Sequence, residues 1–348
     1  MSDELIISYS QVQAWQTCHK KWQWSYIEEI VPKSSPDYLR LGTFLHSLLA
    51  LGYEHLQFGF VTEEVCEVVR DFALTRLSIG MKPEDLGVLT KAIRLVDRYF
   101  ETIQPTWDEG CTVVGVERHF KQQLYSPKGR TFFLQGYIDL VLRDIDGNLW
   151  IIDHKSSASK FWSPLQLQLD GQLSTYSAVL ADVFGVGVNF FNTYDYKDFH
   201  AQPFSKLYKR MNSYRTAKEK ENILENFGVV VDDMLDRSET KNFPYSLTHN
   251  CARCPYSELC LMELKGFGTA DIRLLTDDSF TKKQDRIWKE IREAAGEVVK
   301  AKADLLTRVR KRYLEIDITE TNKTAWGEYV LFNTAANKFM TSVETKSP

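Results

Sequence analysis

Cysteine is scarce in this chain, with six among 348 residues. So few cysteines in a chain of this size, without a signal peptide, argue against a disulfide framework, so we expect reduced thiols that are available to bind metal. No apolar run approaches the length of about 18 residues that a membrane-spanning helix needs. The net charge is only −4, which argues mildly against a general nucleic-acid binder. These absences predict a soluble, cytoplasmic, globular chain of one large domain or two small ones.

The most informative stretch is GYIDLVLRDIDGNLWIIDHKSS, which predicts a β-hairpin. Its two apolar runs flank Asp-Ile-Asp-Gly-Asn, a strong turn signal. Side chains alternate along a strand, so Asp153 and Lys155 share one face and His154 points to the other. A three-residue loop over 146–148 would set Asp139 opposite Lys155 on the shared face. A two-residue loop would instead set Asp139 opposite His154, and a bulge would be needed to restore the site.

The two carboxylates of this hairpin interrupt apolar strands. Asp153 follows the run Leu-Trp-Ile-Ile, where an unpaired carboxylate is costly, and Asp139 lies within Tyr-Ile-Asp-Leu-Val-Leu. A single Asp-x-Lys is usually no more than a set of ordinary polar residues on a half-exposed strand. Two like charges inside a sheet persist only when a cation joins them, and oxygen ligands favour Mg²⁺ or Mn²⁺. Together with the lysine, the pattern indicates metal-dependent phosphodiester chemistry.

Asp139 followed by Asp-His-Lys resembles the core of the PD-(D/E)XK nucleases. The neighbouring motifs resemble the RecB/AddB branch and its stand-alone relatives, including the CRISPR-associated RecB-like exonucleases. Gly42 and His46 match that branch's G-x-x-x-H motif, and Gln172 with Tyr176 matches its Q-x-x-x-Y motif. The motifs keep the family's order from about Ser8 to Cys260. The resemblance implies an α/β protein with a restriction-endonuclease-like core, in which helices flank a mixed sheet.

The resemblance also implies roles for the motif residues. His46 would supply an imidazole to the metal, although the sequence alone fits an interior helix histidine equally well. Asp139 and Asp153 would be the carboxylate ligands, and the carbonyl of Ile152 an additional one. Lys155 would orient or deprotonate the attacking water, or offset charge in the transition state.

The Q-x-x-x-Y motif lies on a helix that we predict to begin near Pro164. The spacing of Gln172 and Tyr176 places both on one helix face, so both can reach the site or the scissile strand. An exposed glutamine above a packed tyrosine is an equally acceptable interpretation. Gln168 extends the same face by one turn, and Glu117, in the apolar strand VVGVERHF, is another candidate for the acidic pocket.

Four of the cysteines form a second constellation. Cys251, Cys254 and Cys260 are spaced C-x2-C-x5-C, and the distant Cys18 can complete a set of four thiolates. The arrangement resembles the iron-sulfur staple of AddB-type nucleases and implies a [4Fe-4S] cluster, with structural Zn²⁺ as the alternative. Closing so long a loop would stabilise the fold by a few kcal/mol, on the order given by loop-closure entropy. The other two cysteines lie in the apolar runs VTEEVCEVV and GCTVVGV and are expected to be buried.

The implied activity is that of a metal-dependent DNA nuclease, first of all an exonuclease on linear ends or single strands in recombination, repair or DNA processing. An endonuclease and a non-catalytic DNA-binding or assembly subunit are the alternatives. The chain has no G-x-x-x-x-G-K-[ST] phosphate loop, so a motor would have to come from a separate helicase or recombination protein. No membrane partner is expected.

Basic and aromatic clusters offer further candidates for DNA contact. The simplest interpretation of the two basic segments is that each forms a solvated helix face. Because DNA binding depends on neutralising phosphates, we expect one of them to line the substrate channel. The aromatic residues near the first cysteine could stack bases but are more often core at this spacing. The basic residues are Lys206, Lys209, Arg210, Arg215, Lys218 and Lys220, then Lys300, Lys302, Arg308, Arg310, Lys311 and Arg312; the aromatic ones are Trp15, Trp22, Trp24 and Tyr26.

The predicted organisation has two parts. Residues 1–265 form the nuclease domain, with a helical insertion at about 40–104 and the cysteine staple. Residues 266–348 form a C-terminal helical extension with a short strand and a polar tail. We predict helices at 8–27, 40–58, 62–79, 84–104, 164–182, 208–236 and 279–313, and strands near 112–124, 131–143, 149–155 and 187–195.

Overall fold

The computed structural model divides into two compact units, residues 1–287 and 288–348. The second unit lies outside the described residues, together with the second basic segment and the predicted C-terminal strand and tail. The residues described are 4–32, 36–77, 83–158, 160–180, 182–266 and 280–282.

The described part of the first unit is built around a mixed β-sheet. Its strands are β1 (Ile6–Ser8), β2 (Ile30–Pro32), β3 (Thr112–Tyr125), β4 (Thr131–Arg143), β5 (Leu149–Ser157), β6 (Val183–Asn192), β7 (Tyr208–Ser213) and β8 (Phe280–Lys282). Six of them form one sheet in the order β1-β4-β5-β6-β7, and β3 also pairs with β4. The β3–β4, β4–β5 and β6–β7 pairs are antiparallel, whereas β1–β4 and β5–β6 are parallel. β2 pairs with β8 in a separate two-stranded sheet.

Helices cover both faces of the main sheet. They are α1 (Tyr9–Thr17), α2 (His19–Trp22), α3 (Asp37–Gln57), α4 (Thr62–Phe72), α5 (Pro83–Arg98), α6 (Gln104–Trp107), α7 (Pro164–Gln168), α8 (Gly171–Val179), α9 (Phe204–Leu207), α10 (Ala217–Thr240) and α11 (Ser257–Leu264). On β4, Leu140 packs with α3 and α5, while the next residue, Val141, packs with α8. Since neighbouring side chains on a strand point to opposite faces, α3 and α8 lie on opposite sides of the sheet. The predicted α/β class, a mixed sheet flanked by helices, is confirmed.

The hairpin of β4 and β5 forms as predicted, but its register differs by two residues. Arg143 pairs with Leu149 and Leu140 pairs with Ile152, so by extension Asp139 lies level with Asp153 and not with Lys155. A shift of two residues is one full period of a strand, so the shift by itself moves no side chain to the other face.

The turn explains this register. The loop has three residues, as expected, but it begins one position earlier, between Asp144 and Asn148, where the Asp144 amide donates to the Asn148 carbonyl at 3.0 Å. Gly147 adopts φ +87°, a left-handed conformation that suits the last loop position. The Asp144 carboxylate accepts the amides of Asp146 and Asn148. These three interactions fix the loop over residues 145–147.

The first predicted helix is interrupted at its cysteine. The helix predicted over 8–27 is interrupted at Cys18, which is extended, with φ −168° and ψ 119°. Residues 23–27 then continue as a π-helical turn. The predicted uniform helix was therefore wrong at the residue that was assigned to the cluster.

The predicted helix over 164–182 is also two helices. α7 ends at Gln168, and the Asp170 carboxylate then caps α8 by accepting the Leu173 amide at 2.8 Å. Gly171 follows because a Cβ there would lie 2.5 Å from the Tyr9 hydroxyl oxygen.

Two further predicted helices begin differently. Residues 208–213 of the predicted 208–236 helix form the edge strand β7, and α10 begins only after Thr216, which makes a capping box with Glu219. Residues 280–282 of the helix predicted over 279–313 form β8, and the rest of that helix lies outside the described residues.

A buried polar network joins the helical region to the sheet. The Tyr53 hydroxyl lies 2.6 Å from that of Tyr99 and donates to Asp108 at 2.8 Å. Arg210, on β7, donates to Asp108 at 2.6 Å and to Asn189 at 2.7 Å. Because a buried charge is tolerated only when it is paired and hydrogen-bonded, this network specifies how α3 docks on the sheet. No helix in the described ranges is both long and apolar enough to cross a membrane.

Candidate metal centre

Helix α3 carries His46 to the sheet, and Gly42, one turn earlier, lies beside β5. A Cβ on Gly42 would lie 3.5 Å from the Ser156 hydroxyl oxygen of β5. Residues four apart share one helix face, so His46 points to the same side and its Nδ1 lies 3.4 Å from the Asp139 Oδ2. The spacing G-x-x-x-H thus joins a packing contact to a functional side chain.

Glu117 and Asp139 lie level with each other on β3 and β4. Val116 pairs with Leu140 and Arg118 with Ile138, which leaves Glu117 opposite Asp139. Glu117 has φ +44°, a left-handed conformation that is uncommon for a residue with a side chain. One ligand atom from each of His46, Glu117 and Asp139 lies within 4.8 Å of the other two.

The second half of the site is an ion pair on β5 between a half-buried lysine and a buried aspartate, and a glutamine contacts the lysine. The Lys155 ammonium lies 2.8 Å from the Asp153 Oδ2 and donates to the Gln172 Oε1 at 2.9 Å. The Gln172 amide then donates to the Tyr176 hydroxyl at 3.3 Å. Tyr176 itself is buried, with its ring packed against Phe120. Gln172 therefore contacts the lysine, whereas Tyr176 stands behind the glutamine.

The backbone of His154 links the two halves. Its amide donates to the Asp139 Oδ2 at 2.8 Å. Its ring faces the opposite side of β5 from Asp153 and Lys155, stacked on Tyr53 with centroids 5.8 Å apart. Burial holds the pKa of this imidazole well below its ordinary value, so the ring is neutral.

Burial sets the electrostatics of the carboxyl groups. It raises the pKa of Asp153 to about 6, against the opposing charge of Lys155. Burial also raises the pKa of Asp139, opposed mainly by His46, and partial desolvation raises that of Glu117. For Lys155, burial alone would lower the pKa, but the Asp153 carboxylate outweighs it and the pKa rises. The lysine is therefore a cation, and the acidic groups favour a further positive charge.

This donor set fits a divalent metal ion. Carboxylate oxygens with one imidazole suit Mg²⁺ or Mn²⁺, and the His46, Glu117 and Asp139 atoms are close enough to share an ion. Ile152 lies between Leu140 and Gly187 in the sheet with its side chain in the core, and the predicted role of its carbonyl stays a prediction.

A sequence model of the PD-(D/E)XK nuclease superfamily matches residues 6–261. The chain belongs to this superfamily. It is therefore a nuclease of the hydrolase class, a class that uses divalent metals and acts on DNA. The RecB-like branch and the cluster stay predictions.

Solved structures also resemble this nuclease. One is a protein designated SSO0001, at 13% identity and a TM-score of 0.33, with 64% of this chain and 94% of that chain covered. Another is a candidate exonuclease from Eubacterium rectale, at 12% identity and a TM-score of 0.43, with 71% and 87% covered. No curated protein sequence matches the nuclease.

The four cysteines of the predicted staple line one cavity of about 460 Å³ in this nuclease. Among the described residues, no three of their sulfurs lie within 4.8 Å of one another. The cysteines are Cys18, Cys251, Cys254 and Cys260.

Direct contacts hold the two chain segments of the cysteine cavity together. The Lys20 ammonium donates to Glu263 at 2.7 Å, and the Ser25 hydroxyl donates to that of Tyr256 at 3.0 Å. The segment from α2 to Ser25 thus docks on the start and the end of α11 through direct protein contacts. Of the other two cysteines, Cys66 is buried as expected, whereas Cys111 is only half-buried.

Two arginines of the first basic segment turn inward and do not belong to a solvated helix face. Arg210 belongs to the buried network, and Arg215 is buried and donates to the Leu167 carbonyl at 2.6 Å. Lys218 pairs with Glu221. The two arginines fasten the edge of the sheet, whereas Lys206 and Lys218 are exposed. The tryptophans Trp15, Trp22 and Trp24 are buried, in agreement with the core interpretation.

Two residues near Lys155, Tyr9 and Asp170, belong to no motif that the sequence analysis identified. Burial, followed by the charge of Asp170, raises the pKa of Tyr9 to about 12, and the charge of Lys155 opposes this rise. Asp170, the cap of α8, is also close enough to Lys155 to raise the lysine's pKa. The pair Asp170-Gly171 is a recognisable helix start, and it is the only sequence signal for this wall of the site.

Proposed function

We propose that this nuclease is a Mg²⁺- or Mn²⁺-dependent exodeoxyribonuclease of the RecB-like branch, acting on linear or single-stranded DNA in recombination, repair or DNA processing. The observation that carries the proposal is the convergence of His46, Glu117 and Asp139 within 4.8 Å, beside the ion pair of Asp153 and Lys155. The exonuclease assignment is supported by the order of the motifs along the chain. The four cysteines are proposed to hold a [4Fe-4S] cluster that staples the fold.

The metal ion would be held by His46, Glu117 and Asp139, with Asp153 as the neighbouring carboxylate. When bound, such an ion supplies a Lewis acid for the phosphate and a more acidic water. Glu117 joins the ligands because its left-handed backbone turns its carboxylate toward His46 and Asp139.

Lys155 is proposed to stabilise negative charge on the phosphate instead of taking a proton from water. Its pKa is raised, so it remains a cation at neutral pH. Asp153 and Gln172 hold its ammonium from two sides. A cation that is already held in position, and partly shielded from water, stabilises the negative charge that develops on the phosphate without a rearrangement of side chains or solvent. The sequence leaves open whether Lys155 deprotonates water or stabilises charge, and these two contacts support charge stabilisation.

The test separates metal binding from chemistry. Asp139→Asn and Glu117→Gln should weaken Mn²⁺ binding in calorimetry, whereas Lys155→Met should bind Mn²⁺ normally and still fail to degrade DNA. Asp146→Asn, in the exposed hairpin loop, is the matched control and should behave as the wild type. If Asp139→Asn and Lys155→Met both keep the wild-type rate, the site is assigned wrongly.

Linear and circular substrates distinguish exonuclease from endonuclease activity. Linear DNA labelled at the 5′ or the 3′ end, beside a covalently closed circle, should show release of label from ends and an intact circle. Cleavage of the circle would replace the exonuclease proposal by an endonuclease. A folded, Mn²⁺-binding protein that cuts none of these substrates would indicate a non-catalytic subunit.

A further inference from the structure

The outer half of the β3–β4 hairpin presents a row of exposed side chains that continues from the metal centre. His119 pairs with Tyr137 in register, two positions beyond Glu117 and Asp139. Phe120 and Ile138 pack on the α8 side of the sheet. Their neighbours His119 and Tyr137 therefore point to the opposite side, the one on which α3 carries His46.

The two rings form a contact that faces solvent. Their centroids lie 5.0 Å apart with a tilt of 52°. Tyr137 is 54% exposed, and His119 is also exposed. Beyond the rings, Lys121 pairs in register with Gln135, and its ammonium forms an ion pair with Glu4 and lies 4.5 Å from the centroid of the Phe133 ring. Exposed aromatic rings are the stacking element of surfaces that bind single strands.

The spacing of the row suits a polynucleotide. A strand rises about 3.4 Å per residue, so the ring pair lies roughly 7 Å along the sheet from the metal ligands. This distance is about two base steps of stacked DNA, at about 3.4 Å per nucleotide. A strand whose phosphate lies at the metal centre can therefore bring a nearby base over the rings.

We propose that His119 and Tyr137 form a stacking platform for an unpaired base of single-stranded DNA, next to the phosphate that is cut. This inference rests on the proposed function of the metal centre. It goes further by naming the surface that selects the substrate. Only unpaired bases expose a free ring face, so the platform favours single strands and frayed ends over closed duplex.

Binding is measured by fluorescence anisotropy with a labelled single-stranded oligonucleotide, in a Lys155→Met background that prevents cleavage. Stacking of one base is worth about 1–3 kcal/mol, so Tyr137→Ala should raise Kd by about 5- to 150-fold, and Tyr137→Phe should retain most of the affinity. Tyr125→Ala is the matched control, because Tyr125 is an exposed tyrosine at the far end of the same strand pair. It should leave Kd unchanged.

An oligonucleotide series with one abasic sugar locates the contact. One abasic position should weaken binding to the tyrosine form while leaving Tyr137→Ala unaffected. In steady-state cleavage with Lys155 present, Tyr137→Ala should raise KM and leave kcat unchanged. If a closed duplex binds as tightly as the single strand and is equally sensitive to Tyr137→Ala, the preference for unpaired bases is wrong.

The two proposals fail in distinguishable ways. If the wild type degrades single strands and Tyr137→Ala binds and cleaves them within twofold of it, the platform is wrong and the nuclease function stands. If no metal-dependent cleavage occurs but binding still depends on Tyr137, the platform stands and the function is wrong. Equal losses in Tyr137→Ala and Tyr125→Ala would also refute the platform, since they would indicate general damage to the hairpin.

Discussion

Replacement of Gln172 by alanine should slow catalysis without weakening metal binding. The side chain supplies one of the two oxygen atoms that hold the Lys155 ammonium, at 2.9 Å, and the Asp153 carboxylate supplies the other at 2.8 Å. Without the glutamine, the long lysine side chain keeps its charge partner but loses the contact that aims it. Gln172 is thus a positioning residue that acts through Lys155.

The size of the effect follows from this hydrogen bond. A hydrogen bond to a charged group contributes about 1.5–3 kcal/mol, and each 1.36 kcal/mol changes a rate about tenfold. Gln172→Ala should therefore lower kcat by roughly 10- to 150-fold, with KM and the Mn²⁺ affinity unchanged. Gln172→Glu keeps an oxygen acceptor at the same place and should retain more activity than the alanine variant. The assay is steady-state degradation of end-labelled DNA beside calorimetry with Mn²⁺.

Gln168 provides the matched control. It ends the preceding helix, where its amide donates to Glu219 at 2.8 Å and its carbonyl oxygen accepts from the Ser213 hydroxyl. Gln168→Ala should leave kcat near the wild-type value. The reasoning is refuted if Gln172→Ala retains full kcat, or if its Mn²⁺ affinity falls in parallel with its rate.

Two further predictions concern the stability of the fold. Cys254→Ser should lower the thermal unfolding midpoint before it lowers the activity per folded molecule. The wild type, purified without oxygen, should be coloured and contain iron. A colourless sample that contains zinc would refute the assignment of an iron-sulfur cluster. Burial raises the pKa of Asp97 from 3.8 to about 6, despite Arg70 at 2.9 Å. The folded state therefore holds this proton more tightly, and its stabilising contribution is present below about pH 4 and lost as the pH rises through 6. Asp97→Asn should reduce this pH dependence in urea unfolding, and an unchanged slope between pH 4 and 7 would contradict the assignment.

Local patterns were enough to predict the hairpin and the residues that share its faces. Alternation along β5 put Asp153 and Lys155 together and His154 apart, and the structure agrees. The register was displaced by two residues, because Gly147 and the Asp144 carboxylate fix the loop by a conformation and hydrogen bonds that composition does not reveal. The i, i+4 spacing of Gln172 and Tyr176 placed both on one helix face, and the structure agrees.

Contacts between distant parts of the chain could not be predicted in the same way. Arg210 and Asp108 are 102 residues apart, so neither sequence segment indicates that the arginine is buried and not a surface charge. Glu117 was a candidate only because it interrupts an apolar strand, and its left-handed backbone is visible only in the structure. After the break at Gln168, Gly171 lies close to the Tyr9 hydroxyl of another helix, a contact that neither sequence segment indicates.

The ligands of the metal centre come from α3 on one side and from β3 and β4 on the other, so a bound ion would act as a removable cross-link between helix and sheet. Ligand binding to the folded state adds RT ln(1 + [L]/Kd) to the free energy of unfolding, which is about 2.7 kcal/mol at a hundredfold excess over Kd. The helix that carries His46 would then be held most firmly when the protein is ready to cut. Removal of the ion by a chelator would loosen α3 before the sheet itself, and the unfolding temperature of the protein would report metal occupancy directly.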